Sequence, residues 1–181
     1  MCKVPAANCP STYPGCAAAV TTSAKPQRTN TCSAADLANG RAACAGTNGF
    51  SSAACKMFIA DLSRVSPTCQ ACLAPFEVDP NVSPAGIFTC LAPFVGAACN
   101  HNTGCATDCQ GTTCSMCPAA QTSACQSSVP TNQCRPQFTQ AAACVTVPLF
   151  GTGAVCNLAG PTYRGDFGAW LQGVGRQYCG P

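Results

Sequence analysis

Ser52-Ala-Ala-Cys55-Lys-Met-Phe-Ile-Ala-Asp-Leu-Ser-Arg-Val-Ser-Pro67-Thr-Cys69 is the stretch that decides the fold class. Ser51-Ser52 offers a cap, and Cys55, Phe58, Ile59, Leu62 and Val65 then recur on one face at helical spacing. Ser66-Pro67 ends the run, because the residue before a proline avoids the helical region. The result is a short amphipathic helix with a cysteine among its apolar anchors.

Similar signals recur on either side. Ser33 followed by Asp36 forms a capping box for a helix reaching Cys44. Phe138 to about Val147 reads as another helix. Asp166 can cap a helix whose Phe167, Trp170, Leu171, Val174 and Tyr178 share a face, although Gly168, Gly173 and Gly175 oppose it by about 1 kcal/mol each relative to alanine. Val145-Thr146-Val147 and Phe88-Thr89-Cys90-Leu91 are too short to build a sheet. The expected class is mostly α: a small disulfide-rich chain of short helices and loops. Its expected core is the Cys55–Val65 face, Phe50, Phe94 and Phe138, and Trp170 with Leu171.

Cysteine supplies what so thin a core lacks. Nineteen of the 181 residues are cysteine, the composition of an extracellular disulfide scaffold rather than of a chain kept reduced in the cytosol. Nineteen is odd, so at least one thiol is free, capped or joined to another molecule. Cys2, next to the start, is the candidate. Met1-Cys2-Lys3-Val4-Pro5 lacks the long apolar core of a signal peptide. The expected compartment is extracellular or the cell surface, with this sequence read as a mature form, a fragment or a chain with an added start.

Four cysteine pairs share one spacing. Cys9 and Cys44, Cys55 and Cys90, Cys99 and Cys134, and Cys144 and Cys179 are each 35 positions apart. The joints between them carry Phe50, Phe94 or Phe138, then small residues, then Ala-Ala-Cys. Cys-Leu-Ala-Pro-Phe occurs at Cys72–Phe76 and again at Cys90–Phe94. Such periods mark stacked units. They predict four tandem stapled modules of about 45 residues, at 1–44, 45–90, 91–134 and 135–181, packed as one elongated domain. The eight frame cysteines are expected to pair within or next to their own module. A single irregular domain with accidental spacing is the alternative.

Charge is scarce: nine Lys or Arg and six Asp or Glu, 8% of the chain against about 25% in a typical soluble domain. The net charge of +3 is scattered, which excludes a nucleic-acid footprint. No stretch is long and apolar enough for a membrane span. A surface of Ser, Thr, Asn, Gln, Gly and Ala suits a protein packed against other subunits, itself included.

Catalytic groups are few. His101 is the only histidine and Glu77 the only glutamate. Cys99 or Cys105 with His101 is a formal nucleophile–base pair. All three are read as one tight loop among disulfides, where no nucleophile survives. Glu77 and Asp79 read as a solvated turn. His101, Cys105, Cys109, Cys114 and Cys117 are an outside candidate for metal, since reduced thiolates and an imidazole can hold zinc or Cu(I). Oxidation opposes it, and no cofactor is expected. Asn81-Val82-Ser83 fits a glycosylation acceptor, with Pro84 against it.

The Ser52–Cys69 stretch resembles the central helix of elicitins, small secreted helical proteins with three disulfides that bind sterols. The resemblance covers about a tenth of the chain, and the other cysteines do not follow the elicitin pattern. The family's function is not carried over, but the resemblance keeps a lipid-carrier reading open. As a helical stapled scaffold the chain would enclose an apolar molecule between the Cys55–Val65 and Trp170 helices. Three functions are therefore expected in order: a secreted, non-enzymatic building block of an extracellular coat, filament or matrix; an extracellular lipid or small-molecule carrier; a cysteine-rich metal binder.

Overall fold

The computed structural model describes residues 15–22, 27–77, 83–115 and 117–181. Cys2, Cys9 and Asn81 lie outside them. Eight α-helices and no strand are present among the described residues. They are α1 Ala34–Ala43, α2 Ala53–Val65, α3 Pro67–Leu73, α4 Ala85–Leu91, α5 Ala97–Cys114, α6 Ala119–Ser128, α7 Arg135–Phe150 and α8 Phe167–Tyr178.

The caps work as their residue types require. The Ser33 hydroxyl accepts from the Asp36 N–H, and the Asp36 carboxylate accepts from the Ser33 N–H, closing both ends of the box at the start of α1. Ser52 accepts from the Cys55 N–H. Asp166 accepts from the Ala169 N–H at the start of α8. Pro67 opens α3 directly after Ser66 closes α2, because proline's fixed φ and missing N–H cost nothing at a first helical position.

Two antiparallel helix pairs organise the core. In the first, α1 lies along α8, with Cys44 beside Gly168 and Leu37 beside Gly175. Two of the three glycines that count against a helix in the sequence, Gly168 and Gly175, are what let this pair close, while Gly173 faces Tyr163. A Cβ at Gly168 would strike the Arg41 carbonyl oxygen and sit 2.8 Å from the Cys44 carbonyl carbon. A Cβ at Gly175 would meet side-chain methyls alone, the Leu37 Cδ2 at 2.5 Å and the Leu73 Cδ2 at 3.3 Å. Gly168→Ala is therefore expected to lower stability by about 1–3 kcal/mol in a urea titration, since backbone cannot yield. Gly175→Ala, which presses on a rotatable side-chain end, should cost less.

The second pair is α5 and α7. Cys99–Cys144 and Cys109–Cys134 bridge them near either end, and the reversed order of the partners makes the helices antiparallel. α6 is tied back to α5 by Cys114–Cys125. Around the first pair, Cys44–Cys55 closes the α1–α2 corner, Cys32–Cys69 joins the entry of α1 to α3, and Cys72–Cys179 joins α3 to the end of α8. Cys90–Cys156 runs from α4 to the turn beyond α7, and Cys16–Cys105 fixes the N-terminal segment to α5.

This pairing corrects the sequence reading in part. Cys44–Cys55, Cys99–Cys144 and Cys109–Cys134 pair frame cysteines within or next to their own module, as expected. No two cysteines of one equally spaced pair among the described residues are joined, however, and Cys90 and Cys179 depart from the expectation. Cys90 and Cys179 bond to cysteines two modules away by the spacing scheme. Equal spacing along a chain does not say which helices pack together, and helix packing decides which sulfurs meet. Four tandem modules are not confirmed. One buried cluster instead draws residues from Cys32 through Cys179, with a small satellite at Cys109, Cys114, Cys125, Val129 and Cys134.

The local repeats fare better. Both copies of Cys-Leu-Ala-Pro-Phe end a helix in a single tight 3-10 turn, Ala74–Phe76 after α3 and Ala92–Phe94 after α4. Proline provides no N–H to continue the helix. Ala-Ala-Cys opens α2 and α5 but falls in the middle of α7. Val145-Thr146-Val147 and Phe88-Thr89-Cys90-Leu91 are helical.

The core centres on Trp170, which is fully buried. It packs against Phe167 and Phe76 at ring-centroid distances of 5.6 and 6.5 Å, and its Nε1–H donates to the Cys156 carbonyl oxygen at 3.1 Å. The Tyr178 hydroxyl donates to the Cys90 carbonyl oxygen, and burial pushes that phenol up to about 12. Of the expected core, Cys55, Leu62, Trp170 and Leu171 are buried, while Phe50, Phe58, Ile59, Phe94 and Phe138 are partly so. Val65 is exposed.

Candidate functional site

Two places gather side chains that could act on something else: a groove on α1 and α2, and a sulfur–imidazole corner on α5.

The groove follows from how α2 meets α1. Gly40 brings α1 close to the Phe58 ring, and beyond that contact no helix among the described residues covers the outer face of α2. Met57, Phe58, Leu62 and Val65 line one wall, and Asp36 and Asn39 line the other. The groove holds about 760 Å³. Met57 is 72% and Val65 67% exposed, so its apolar wall faces solvent. Asp61 and Arg64 at its edge form an exposed ion pair. The groove is not between α2 and the Trp170 helix, where the sequence places it, because α1 packs there, with Gly40 against both Phe58 and Leu171.

The second place corrects the reading of Cys99, His101 and Cys105 as one tight loop. The segment is helical as far as Cys114, which sets Cys105 one turn beyond His101. The His101 Nδ1 lies 2.7 Å from the Val20 carbonyl oxygen. A carbonyl only accepts, so Nδ1 carries the ring proton, and the Cys105 Sγ lies over the face of the ring, 3.5 Å from Nε2 and 3.8 Å from Nδ1. Cys16 joins from the N-terminal segment, and the donor atoms of Cys16, His101 and Cys105 all lie within 4.8 Å of one another. Sequence alone does not nominate Cys16, since no local signal links it to a residue 89 positions away.

The remaining metal candidates part company along the helix. Cys109 bonds to Cys134, Cys114 bonds to Cys125, and Cys117 is also disulfide-bonded. Cys114, Cys117 and Cys125 form a second sulfur cluster. All seventeen cysteines among the described residues are oxidised, so in this state none offers the thiolate that zinc or Cu(I) requires. Cys99 and Cys105 are likewise no nucleophiles while bridged.

Glu77 is half-buried rather than solvated. It accepts from the Gln70 Nε2–H at 3.1 Å, while its other carboxylate oxygen is buried without a partner. Burial holds its carboxyl above the ordinary 4.5, only partly offset by Gln70. A raised acid favours the folded state when protonated, so this contribution is complete below the ordinary value and is lost as pH rises through the raised one. Glu77→Gln should therefore raise the melting temperature at pH 7, with the difference shrinking toward zero in acid below pH 4.5. Asp79 lies outside the described residues.

No helix among the described residues is long and apolar enough to cross a membrane, and the many disulfides fit an extracellular protein. No protein-family model, curated protein or solved structure matches the chain.

Proposed function

We propose that the chain is a secreted, non-enzymatic, disulfide-stapled interaction protein, a rigid building block of an extracellular coat, filament or matrix. The observation that carries this reading is the bridge network. Cys16–Cys105, Cys72–Cys179 and Cys90–Cys156 link segments far apart in sequence, so the helices cannot separate without breaking sulfur bonds. Durability of that kind serves a part that must keep its shape outside the cell. Scarce charge supports the same reading, because a surface with few charges is poorly protected against association. The odd cysteine adds a means of linking subunits covalently.

Light scattering on the eluting native protein, with gels run with and without reductant after thiol blocking, tests the proposal. Multimers that partly fall apart on reduction are expected. A strictly monomeric protein in both conditions would overturn it.

A second reading, an extracellular carrier of a lipid or other small apolar molecule, is favoured by the α1–α2 groove alone. It expects the native protein to take up a fluorescent fatty acid, and Met57→Asp to abolish that uptake with the melting temperature unchanged, since Met57 supports no core. Absence of uptake removes this reading and leaves the first untouched.

A further inference from the structure

We propose that the α1–α2 groove takes the exposed end of α7 from a second copy of this chain, so that copies join head to tail. The proposal rests on the assembly reading above and names the contact that produces it.

Four large apolar side chains are exposed among the described residues, and they fall in two patches. Met57 and Val65 belong to the groove. Val147 and Phe150, 81% and 75% exposed, stand three positions apart near the end of α7 and so share one face. Ala143, exposed one turn earlier, continues it. α7 has no charged residue after Arg135, so no charge on this face opposes burial. Contiguous exposed apolar surface of this kind marks an interaction site. Both patches are exposed in the same molecule, so neither fills the other within one chain.

The end of α7 is held in shape. Leu149 packs against the core, and its carbonyl oxygen accepts from the Asn157 Nδ2–H at 3.2 Å. The Pro148 carbonyl oxygen accepts from the Gly151 and Gly153 N–H groups. The Thr146 hydroxyl donates to the Ala142 carbonyl oxygen at 2.8 Å, so it brings no unsatisfied donor to the contact. Val147 and Phe150 are therefore presented outward on a fixed turn, and little conformational freedom is lost when they dock.

The groove matches this end in size and chemistry. Met57, Phe58 and Val65 give it an apolar wall, while Asn39, Asp61 and Arg64 give it a polar rim, the arrangement of a protein interface. Its volume of about 760 Å³ is within the range that encloses a small ligand, and it accommodates both side chains. A groove cannot fill a groove, so the contact is heterologous. Each copy still offers one free groove or helix end, and the contact repeats into a filament or a ring. α2 is 13 residues long, about 20 Å. A helix about 10–12 Å across laid on it covers less than the roughly 800 Å² per partner of a standard interface. Joining is therefore expected to be reversible and concentration-dependent.

The test uses the full oxidised chain, taken as its monomer with free thiols capped by N-ethylmaleimide, and reads mass by light scattering over a concentration series. Met57→Asp spoils the groove and Phe150→Asp spoils the helix end. Both side chains are exposed, so both variants should melt close to the parent. Each alone is expected to stay monomeric at about ten times the concentration at which the unaltered protein joins, since an unpaired charge would have to be buried. Mixed in equal amounts, they are expected to form a pair of one each and nothing larger, because the first keeps a helix end and the second keeps a groove. A mixture that stays monomeric, a Phe150→Asp protein that still pairs by itself, or variants that assemble like the parent would overturn the contact and leave the assembly reading standing. An unaltered protein that is monomeric when capped, yet forms reductant-sensitive multimers when uncapped, would do the same. Monomers under both conditions would overturn both. Should Phe150→Asp misfold, Val147→Asp takes its place.

Discussion

Reduction of all disulfides is expected to abolish the helical circular-dichroism signal and to move the fluorescence of Trp170 to the red. Trp170 is the only tryptophan and is fully buried, so it reports the core without ambiguity. Each bridge is worth about 2–4 kcal/mol, more for longer closed loops. Cys72–Cys179, Cys16–Cys105 and Cys90–Cys156 close loops of 107, 89 and 66 residues. A domain of this size has a net stability of only about 5–15 kcal/mol, so loss of the whole set exceeds what packing can hold. The packing is also thin: many buried positions are cysteine, alanine, glycine or threonine. α5 is the extreme case, burying Thr103, Gly104, Ala106, Gln110 and Thr113. A reduced protein that stayed helical with its tryptophan shielded would show that the staples are accessory.

Among single substitutions, Trp170→Ala should cost most, about 3–5 kcal/mol. The ring fills the space between Phe76 and Phe167, and α8 has no other residue of that volume to close it. Its removal also takes the indole N–H from the Cys156 carbonyl oxygen, which keeps only the Leu158 N–H at 3.2 Å, a further smaller cost. Chemical denaturation of the oxidised variant measures the loss. Trp170→Phe, which keeps much of the volume but not the donor, should fall between the two. An alanine variant within about 1 kcal/mol of the parent would mean that the core lies elsewhere.

Capped helices are legible in the sequence. Ser33 with Asp36, Ser52 with Cys55 and Asp166 with Ala169 are local devices, and each marks its helix within a residue. α5 is not legible, because its buried face is Thr, Gly, Ala, Gln and Cys, and apolar periodicity is blind to such a face. Two weaker signs are present: Cys105 and Cys109 at helical spacing, and a proline-free run from Pro93 to Pro118. The glycines of α8 mislead for a physical reason, since a close helix pair needs at Gly168 the absence of side chain that a free helix penalises. Bridge pairing is hidden because it depends on which helices meet. The His101–Cys105 contact is within reach once α5 is recognised, but Cys16 is not, since only the tertiary fold brings it there.

Mass spectrometry of peptides cut from the unreduced protein tests the central claim most directly. The linked pairs expected are Cys72–Cys179, Cys90–Cys156, Cys99–Cys144 and Cys16–Cys105, with the cysteines of α1 to α8 carrying no free thiol. Recovery of Cys55–Cys90, Cys99–Cys134 and Cys144–Cys179, or of a largely reduced chain, would contradict it.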